Sequence, residues 1–263
     1  RLMQNFNEKY ERAAKKYLSI LDRMRAVLPS DTLNLRSLGN LYDYKKYIEK
    51  IIDNTSEHSK IFDWGCGNGH ISFILREMGR ESVTSFCVLP DARTLDFLKQ
   101  DLGLDVLVSE SLLDLPFETE TYEIILSSGV LEHVNEYGGN IDFSLRELLR
   151  ICLPGGRIYV WRLPFAWSIW EYFRYVLGQW VHPDRYTVQQ LLNLEIKFPL
   201  NLVEYELDGF LFVRLRAMFM RTCFFADMFN YFERLINLRF FHFLLNDIFV
   251  VFEKKDEIES ETD

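Results

Sequence analysis

Short apolar runs alternate with amphipathic segments through the middle of the chain. The apolar runs are rich in β-branched and aromatic residues, which predicts buried strands, and the segments between them carry apolar residues at helical spacing. Strands that alternate with helices form parallel sheets with right-handed crossovers, so the pattern predicts an α/β fold. The predicted strands are residues 60–63, 83–88, 106–108, 123–127 and 156–161. The predicted helices are residues 70–78, 91–101 and 141–152, and a helix is also expected to open at residues 131–134.

The two ends of the chain differ from this regular middle. Residues 5–28 and 41–52 have apolar positions at helical spacing, which predicts a helical segment over residues 1–55 before the first strand. Residues 202–207 and 247–253 are candidates for the last two strands. We therefore place the main domain at residues 56–253, with two aromatic insertions, residues 164–186 and 213–238, and a charged tail, residues 254–263, that we expect to be disordered.

Three glycines follow the first predicted strand at alternate positions, in the sequence Asp63-Trp64-Gly65-Cys66-Gly67-Asn68-Gly69. Glycine accepts positive φ angles and lets a ligand approach the backbone, so a strand, this turn and a following helix predict a nucleotide-type pocket. The dinucleotide fingerprint needs a glycine where this chain has His70, and no Gly-Lys-Ser/Thr follows for a P-loop.

The pattern Asp-x-Gly-x-Gly-x-Gly at residues 63–69 resembles the first motif of class I S-adenosylmethionine-dependent methyltransferases of the type 11/12 group. Two further stretches are similar to that family in the same order. One is Leu-Pro-Phe at 115–117 with Tyr-Glu-Ile-Ile-Leu-Ser-Ser-Gly-Val-Leu-Glu-His-Val at 122–134, and the other is the Pro-Gly-Gly turn within 149–158. The resemblance implies a doubly wound, Rossmann-like sheet of seven strands with the last one antiparallel, and S-adenosylmethionine as cofactor.

The resemblance also implies roles for single residues. The turn would pass beneath the amino-acid end of the cofactor, with Asp63 holding its ammonium. The position of the ribose-binding acid falls on Cys87, a weak hydrogen-bonding group; Asp91 either substitutes for it or caps a helix. The N-terminal helices would form a lid or only cover the sheet edge. The expected cofactor contacts are Asp63, Gly65, Cys66, Gly67, Asn68, Gly69, Cys87, Asp91, Glu110, Ser111, Leu112, Ser128, Gly129 and His133.

Two histidines are candidates for catalysis. His133 lies near the transferred methyl by resemblance, and His182 follows the first aromatic insertion; either is a general base if the acceptor must lose a proton. The alternatives are a histidine that orders a loop and a histidine in a turn. Because specificity in this fold usually lies in such insertions, we expect acceptor contacts from Trp161, Arg162, Trp167 and Tyr186.

Composition narrows the acceptor. The chain of 263 residues has a net charge of −9, which disfavours nucleic acid, and 15% aromatic residues, which favours an acceptor with a hydrophobic part or a peripheral membrane contact. The four cysteines have no metal-ligand spacing, so we expect no metal and a reducing, cytoplasmic location; we also expect no signal peptide and no membrane span.

We predict methyl transfer to a small-molecule, sugar or lipid-linked acceptor. The alternatives are a protein methyltransferase and a non-catalytic binding or scaffold protein that keeps the fold; the replacement of the ribose-binding acid by Cys87 favours the last. The sequence leaves the oligomeric state open.

Overall fold

The structure is a computed structural model. It describes the chain apart from the residues at 1, 25–27, 29–34, 36, 89, 110–114, 137, 179–181, 211–222, 237–240 and 257–263.

Seven strands form one mixed sheet. The strands are β1 (Ile61–Trp64), β2 (Val83–Val88), β3 (Asp105–Ser109), β4 (Tyr122–Ser128), β5 (Cys152–Pro164), β6 (Leu200–Phe210) and β7 (Leu245–Lys254). Their order in the sheet is β3-β2-β1-β4-β5-β7-β6. Pairing is parallel for β1 with β2 and for β4 with β5, and β7 runs antiparallel to both β5 and β6. The expected doubly wound sheet of seven strands, with the last strand antiparallel, is confirmed.

Helices flank the strands. They are α1 (Leu2–Met24), α2 (Leu38–Tyr42), α3 (Lys45–Asp53), α4 (His70–Glu77), α5 (Ala92–Asp96) with a π-helical turn (Phe97–Asp101), α6 (Ile141–Ile151), α7 (Ile169–Val176), α8 (Val188–Leu192), α9 (Leu194–Lys197) and α10 (Cys223–Ile236), besides short 3₁₀ turns at Leu131–His133 and His242–Leu244.

The contacts divide the chain into two units. The first unit comprises Arg1–Val108 with Val213–Tyr231, and the second comprises Ser109–Phe212 with Phe232–Asp263. Each unit has its own buried core, so we describe each one separately.

In the first unit, the N-terminal helix α1 packs on α4. Its apolar positions recur at helical spacing, and Tyr10, Ala14 and Tyr17 are fully buried. Lys9 donates a hydrogen bond from Nζ to the Met78 carbonyl, and the Tyr17 ring lies 5.8 Å from that of Phe73. The predicted N-terminal helical segment is therefore tied to the helix that follows the glycine turn.

In the second unit, β4, β5 and β7 supply the core. Every residue from Ile248 to Phe252 is buried. Lys254, at the end of β7, donates to the Cys152 carbonyl at 2.9 Å and to Glu120 at 3.2 Å. The sheet thus extends one residue into the segment predicted as a disordered tail, and residues 257–263 lie outside the described residues.

Two local predictions need correction. The helix expected to open at Leu131 is only a 3₁₀ turn, and α6 begins at Ile141. Gly138 has a φ of 74° and Asn140 caps α6 through its side chain, so the chain turns between the two elements instead of continuing as a helix. The helix predicted over residues 41–52 is divided into α2 and α3 by a turn.

Candidate active site

The glycine turn, residues 65–69, has the backbone conformation that the sequence predicts. Gly65, Gly67 and Gly69 have φ angles of 74°, 51° and 70°. The backbone N–H groups of Gly65 and Cys66 both donate to the Phe86 carbonyl at 2.9 Å, which fixes the turn against the end of β2. The turn is therefore built from positive-φ positions that other residues adopt only at a cost.

The glycines of the turn differ in the room around the position that a Cβ atom would occupy. A Cβ atom on Gly69 would lie 2.5 Å from Cδ2 of Leu98 and 2.7 Å from Cδ1 of Leu104, so this glycine is required by packing. Among the described residues, a Cβ on Gly67 would have only the Gly65 carbonyl oxygen near it, at 4.0 Å. Gly67 therefore leaves room for a ligand above the turn, as a cofactor cradle requires.

Asp63, the last residue before Trp64 and the turn, is buried and held by hydroxyl groups. Ser72 donates to its Oδ2 at 2.6 Å, and Ser85 donates to Ser72 at 2.8 Å. Burial raises the pKa of Asp63 to about 6, although the hydrogen bonds from Ser72 oppose this shift. A cationic ligand group would favour the ionised carboxylate, so Asp63 suits the ammonium of an amino acid.

The N-terminal segment reaches the turn directly. Tyr17 donates its hydroxyl to the Asn68 carbonyl at 3.0 Å, and the ring of Tyr44 lies 4.5 Å from that of His70, the first residue of α4. Segment 1–55 thus contacts the turn itself as well as packing on α4, and the lid stays a prediction.

The two candidates for the ribose contact have other partners. Sγ of Cys87 lies 2.6 Å from Sγ of Cys66, and both thiols are buried. Asp91 caps α5, with Oδ1 accepting from the backbone N–H groups of Arg93 and Thr94. The capping alternative for Asp91 is therefore realised, and a ribose contact by either residue stays a prediction. The predicted adenine contacts Glu110, Ser111 and Leu112 lie outside the described residues.

In the second unit, β4 ends in a turn that buries a carboxylate. Ser128 ends the strand, Gly129 has a φ of 66° and donates its N–H to the Trp161 carbonyl, and the 3₁₀ turn then places Glu132. Glu132 is only 3% exposed, and among the described residues its Oε2 has no hydrogen-bond partner. Burial raises the pKa of Glu132 to about 8.

The structure brings the two candidate histidines together beside this carboxylate. The ring centroids of His133 and His182 are 5.6 Å apart, and one ligand atom from each of Glu132, His133 and His182 lies within 4.8 Å of the other two. We call these three residues the Glu-His-His cluster. Segment 182–186 is connected to it, because Asn135 donates to Asp184 at 2.8 Å.

Sequence analysis missed Glu132 and Glu171 as site residues. Glu171, on α7, is fully buried; its carboxylate accepts from Arg174 at 2.7 Å and from the backbone N–H of His182 at 3.2 Å. Burial alone would raise the pKa of Glu171, but the hydrogen bond from His182 and the charge of Arg174 outweigh it and lower the pKa. The signal in the sequence for Glu171 was an acidic residue within an aromatic segment with helical spacing.

The predicted acceptor residues fall in different environments. Trp161 is fully buried in β5, and an acceptor contact by this residue stays a prediction. Arg162 has a φ of 64°, which marks a strained position, and its charge acts on Glu132. The hydroxyl of Tyr186 is buried without a hydrogen-bond partner among the described residues. Trp167 is 71% exposed.

A pocket of about 560 Å³ lies in the second unit, in the first predicted insertion. Its lining is mostly aromatic and apolar, with one arginine: Ala166, Trp167, Ser168, Ile169, Tyr172, Tyr175, Arg185 and Phe243. Helix α7 contributes both to this pocket, through Tyr172 and Tyr175, and to the surroundings of His182, through Glu171. The second predicted insertion holds α10, and residues 211–222 and 237–240 lie outside the described residues.

Comparison with known proteins agrees with this geometry. Residues 62–160 match the family described as "Methyltransferase domain". A curated relative from Bos taurus, "Probable tRNA methyltransferase 9B", is 26% identical over 121 residues, which cover 44% of this chain and 24% of the relative. The chain thus matches about a quarter of that relative's length.

Two solved structures share the fold. The Haloferax volcanii complex of the Trm112 methyltransferase activator with a methyltransferase matches at a TM-score of 0.57 and 15% identity, over 94% of this chain and 98% of that chain. Geranyl diphosphate methyltransferase in complex with S-adenosylmethionine matches at 0.52 and 15%, over 87% and 93%. Residues 62–160 thus match a methyltransferase-domain family, and the chain shares its fold with these two methyltransferase structures.

Among the described residues, none of the helices combines the length and the apolar character that crossing a membrane requires.

Proposed function

We propose that the chain methylates a small molecule that has an apolar body and an anionic group. The observation that carries this proposal is the aromatic pocket in the second unit, which has Arg185 in its lining. Small-molecule sites are mostly apolar clefts of about 300–1,000 Å³ with a few polar groups that fix orientation, and this pocket has that size and composition.

The surroundings of the pocket support an apolar acceptor. On α7, Tyr172, Tyr175 and Val176 are each 60% exposed or more, and the neighbouring Leu177 is 65% exposed. A solvated connection does not normally gather apolar surface of this kind, whereas a binding surface does. The fold neighbour that acts on geranyl diphosphate gives one example of such an acceptor: an apolar chain with an anionic end.

A tRNA acceptor is the second candidate, because a curated relative is described as a tRNA methyltransferase. The net charge of −9 opposes it, since affinity for nucleic acid rests largely on cations that neutralise phosphates. We therefore place tRNA second. The solved neighbour with the Trm112 activator makes an activator subunit a partner worth testing.

Methyl transfer requires that the acceptor is positioned against the cofactor and, for a hydroxyl acceptor, that the acceptor loses a proton. The cofactor supplies a methyl group activated by its sulfonium; transfer breaks the carbon–sulfur bond, leaves the electron pair on sulfur and yields S-adenosylhomocysteine. Positioning and exclusion of water account for much of the rate in such a step. A hydroxyl acceptor must also lose its proton, and we assign the activation of that oxygen to the Glu-His-His cluster, which contains both predicted catalytic histidines.

Isothermal titration with S-adenosylmethionine and S-adenosylhomocysteine tests the first part of the proposal. We expect one site for each ligand. Absence of binding to a folded chain would contradict methyl transfer and would favour a scaffold that keeps the fold.

Transfer from radiolabelled S-adenosylmethionine tests the acceptor. We expect label in 12-hydroxydodecyl phosphate, a probe with an apolar chain, an anionic end and a hydroxyl, and none in a tRNA transcript. Trp167→Ala should raise KM for this acceptor, whereas Ile196→Ala, an 86% exposed apolar residue outside the pocket lining, should not. Label in tRNA alone would reverse the order of the two candidates.

A further inference from the structure

We propose that Glu132, His133 and His182 bind a divalent transition-metal ion of the zinc class. Two imidazoles and one carboxylate, contributed by three side chains around one point, are a ligand set that such ions accept, with further positions open for water or a substrate oxygen. The expectation of no metal rested on cysteine spacing, whereas these ligands come from segments about 50 residues apart.

The distances allow coordination after a small contraction. The three ligand atoms lie within 4.8 Å of one another, and Nε2 of His133 lies 3.9 Å from Oε1 of Glu132. Bonds of about 2.0–2.1 Å to one zinc ion place neighbouring ligand atoms roughly 3.4 Å apart. The widest separation in the cluster must therefore shrink by about 1.4 Å.

Each histidine has a carboxylate at its other side. Nδ1 of His133 lies 3.1 Å from Oε1 of Glu136, and Nδ1 of His182 lies 3.5 Å from Oε1 of Glu171. Metal-binding histidines usually donate their second ring N–H to a carboxylate or carbonyl, which orients the ring and raises its basicity. Two histidines that only pack against each other do not need a carboxylate each, so this arrangement favours a cation between the two rings.

The carboxylate of Glu132 supplies an independent observation. Glu132 is 3% exposed, and its Oε2 is buried without a hydrogen-bond partner among the described residues. Buried polar atoms are nearly always satisfied, so an orphaned carboxylate oxygen points to a missing partner. The side chains of His133 and His182 are 29% and 17% exposed, which leaves a path for the ion.

The cation has a role in the proposed reaction. A bound zinc-class ion lowers the pKa of a coordinated oxygen and would thereby activate an acceptor hydroxyl. This role rests on the proposed function, but the binding of the ion does not.

Zinc titration of the chelator-treated chain tests the site. We expect one equivalent of Zn²⁺ to bind with a Kd at or below the micromolar range, and Co²⁺ in its place to give visible absorption bands of nitrogen and oxygen coordination. Mg²⁺ should not compete, because imidazole is a poor ligand for it. Glu132→Gln and His182→Ala should each weaken zinc binding at least tenfold.

His58→Ala is the matched control, because His58 also lies beside a carboxylate, Glu81, at 3.3 Å, but on the surface and without a third ligand. It should leave the affinity for zinc unchanged. Failure of the parent chain to bind Zn²⁺, equal competition by Mg²⁺, or full binding by a folded Glu132→Gln variant would each overturn the proposal.

Titration of S-adenosylmethionine in the same samples separates the two hypotheses. Zinc binding without cofactor binding would contradict the proposed function alone, and the reverse would contradict the cation site alone.

Discussion

The glycine turn and the Glu-His-His cluster are two polar sites made in different ways. The turn is contiguous, and its function depends on backbone angles that three glycines adopt. The cluster joins Glu132 and His133 to a residue 49 positions further on, and its function depends on side chains that burial and neighbouring carboxylates orient. A contiguous site can be recognised from its own residues, whereas an assembled site depends on everything that packs around it.

Gly67→Val should have the largest effect, because it fills the space above the turn. We expect affinity for S-adenosylmethionine to fall at least about 100-fold, or about 2.7 kcal/mol, in titration calorimetry. Gly103→Val is the matched control: Gly103 also has a positive φ, 62°, and no atom of the part of the chain that the structure describes lies within 4 Å of its Cβ position. Both variants should lose about 1–3 kcal/mol of stability to backbone strain. Equal loss of cofactor affinity in both would show that strain, not the cradle, is responsible.

Glu171→Gln tests whether zinc binding by the Glu-His-His cluster depends on the carboxylate beside His182. Removing this carboxylate from His182 should weaken zinc binding about 10–100-fold, the usual effect of losing an outer partner of a ligating histidine. Glu147→Gln is the control, since Glu147 pairs with Arg150 at the same spacing as Glu171 with Arg174, but away from the cluster. Cofactor affinity should stay constant in both, and an unchanged zinc affinity in Glu171→Gln would contradict the supporting role.

Asp63→Asn should abolish the pH dependence of cofactor affinity at the glycine turn. The pKa of Asp63 is raised from 3.8 to about 6, so the protonated form predominates below pH 6 and the cofactor's ammonium loses its partner. Affinity for S-adenosylmethionine should therefore fall about tenfold per pH unit below that value in the parent chain. The cofactor-free fold should show the opposite trend. Its folded state holds this proton more tightly than the unfolded chain, so its stability falls as pH rises from about 4 to about 6.

Both trends should disappear in Asp63→Asn, measured by cofactor titration and chemical denaturation across this range. An unchanged pH profile of affinity would mean that Asp63 does not bind the ammonium.

Tyr17→Phe should have the smallest effect. It removes the hydrogen bond to the Asn68 carbonyl and should cost about 1 kcal/mol of stability with a roughly threefold loss of cofactor affinity. Tyr10→Phe, on the same helix, removes a hydrogen bond to the Leu41 carbonyl instead. It should cost similar stability with no change in affinity. Equal affinities would mean that α1 only covers the sheet edge.

The fold was predictable because its strands are apolar runs of characteristic length. The predicted range 83–88 coincides with β2, whereas β5 extends beyond the predicted range 156–161 at both ends. It pairs with β4 at Cys152 and with β7 as far as Pro164. The turn was predictable down to its φ angles. The interruption of the helix after Leu131 was not predictable from the helix propensity of the residues around Leu131. Two glycines further along the chain and the Asn140 cap end it.

The sequence by itself determined the glycine turn, since positive φ is a property of single residues and their order. It also carries the resemblance to methyltransferases, because that resemblance resides in this turn and in two neighbouring motifs. Only the tertiary structure decided that Glu132 is buried, that His133 and His182 meet, and that Glu171 supports one of them. The physical reason is distance along the chain: segments about 40–50 residues apart meet only after β4, β5 and α7 have packed. Burial then raises the pKa of Glu132, whereas the neighbours of Glu171 lower its pKa.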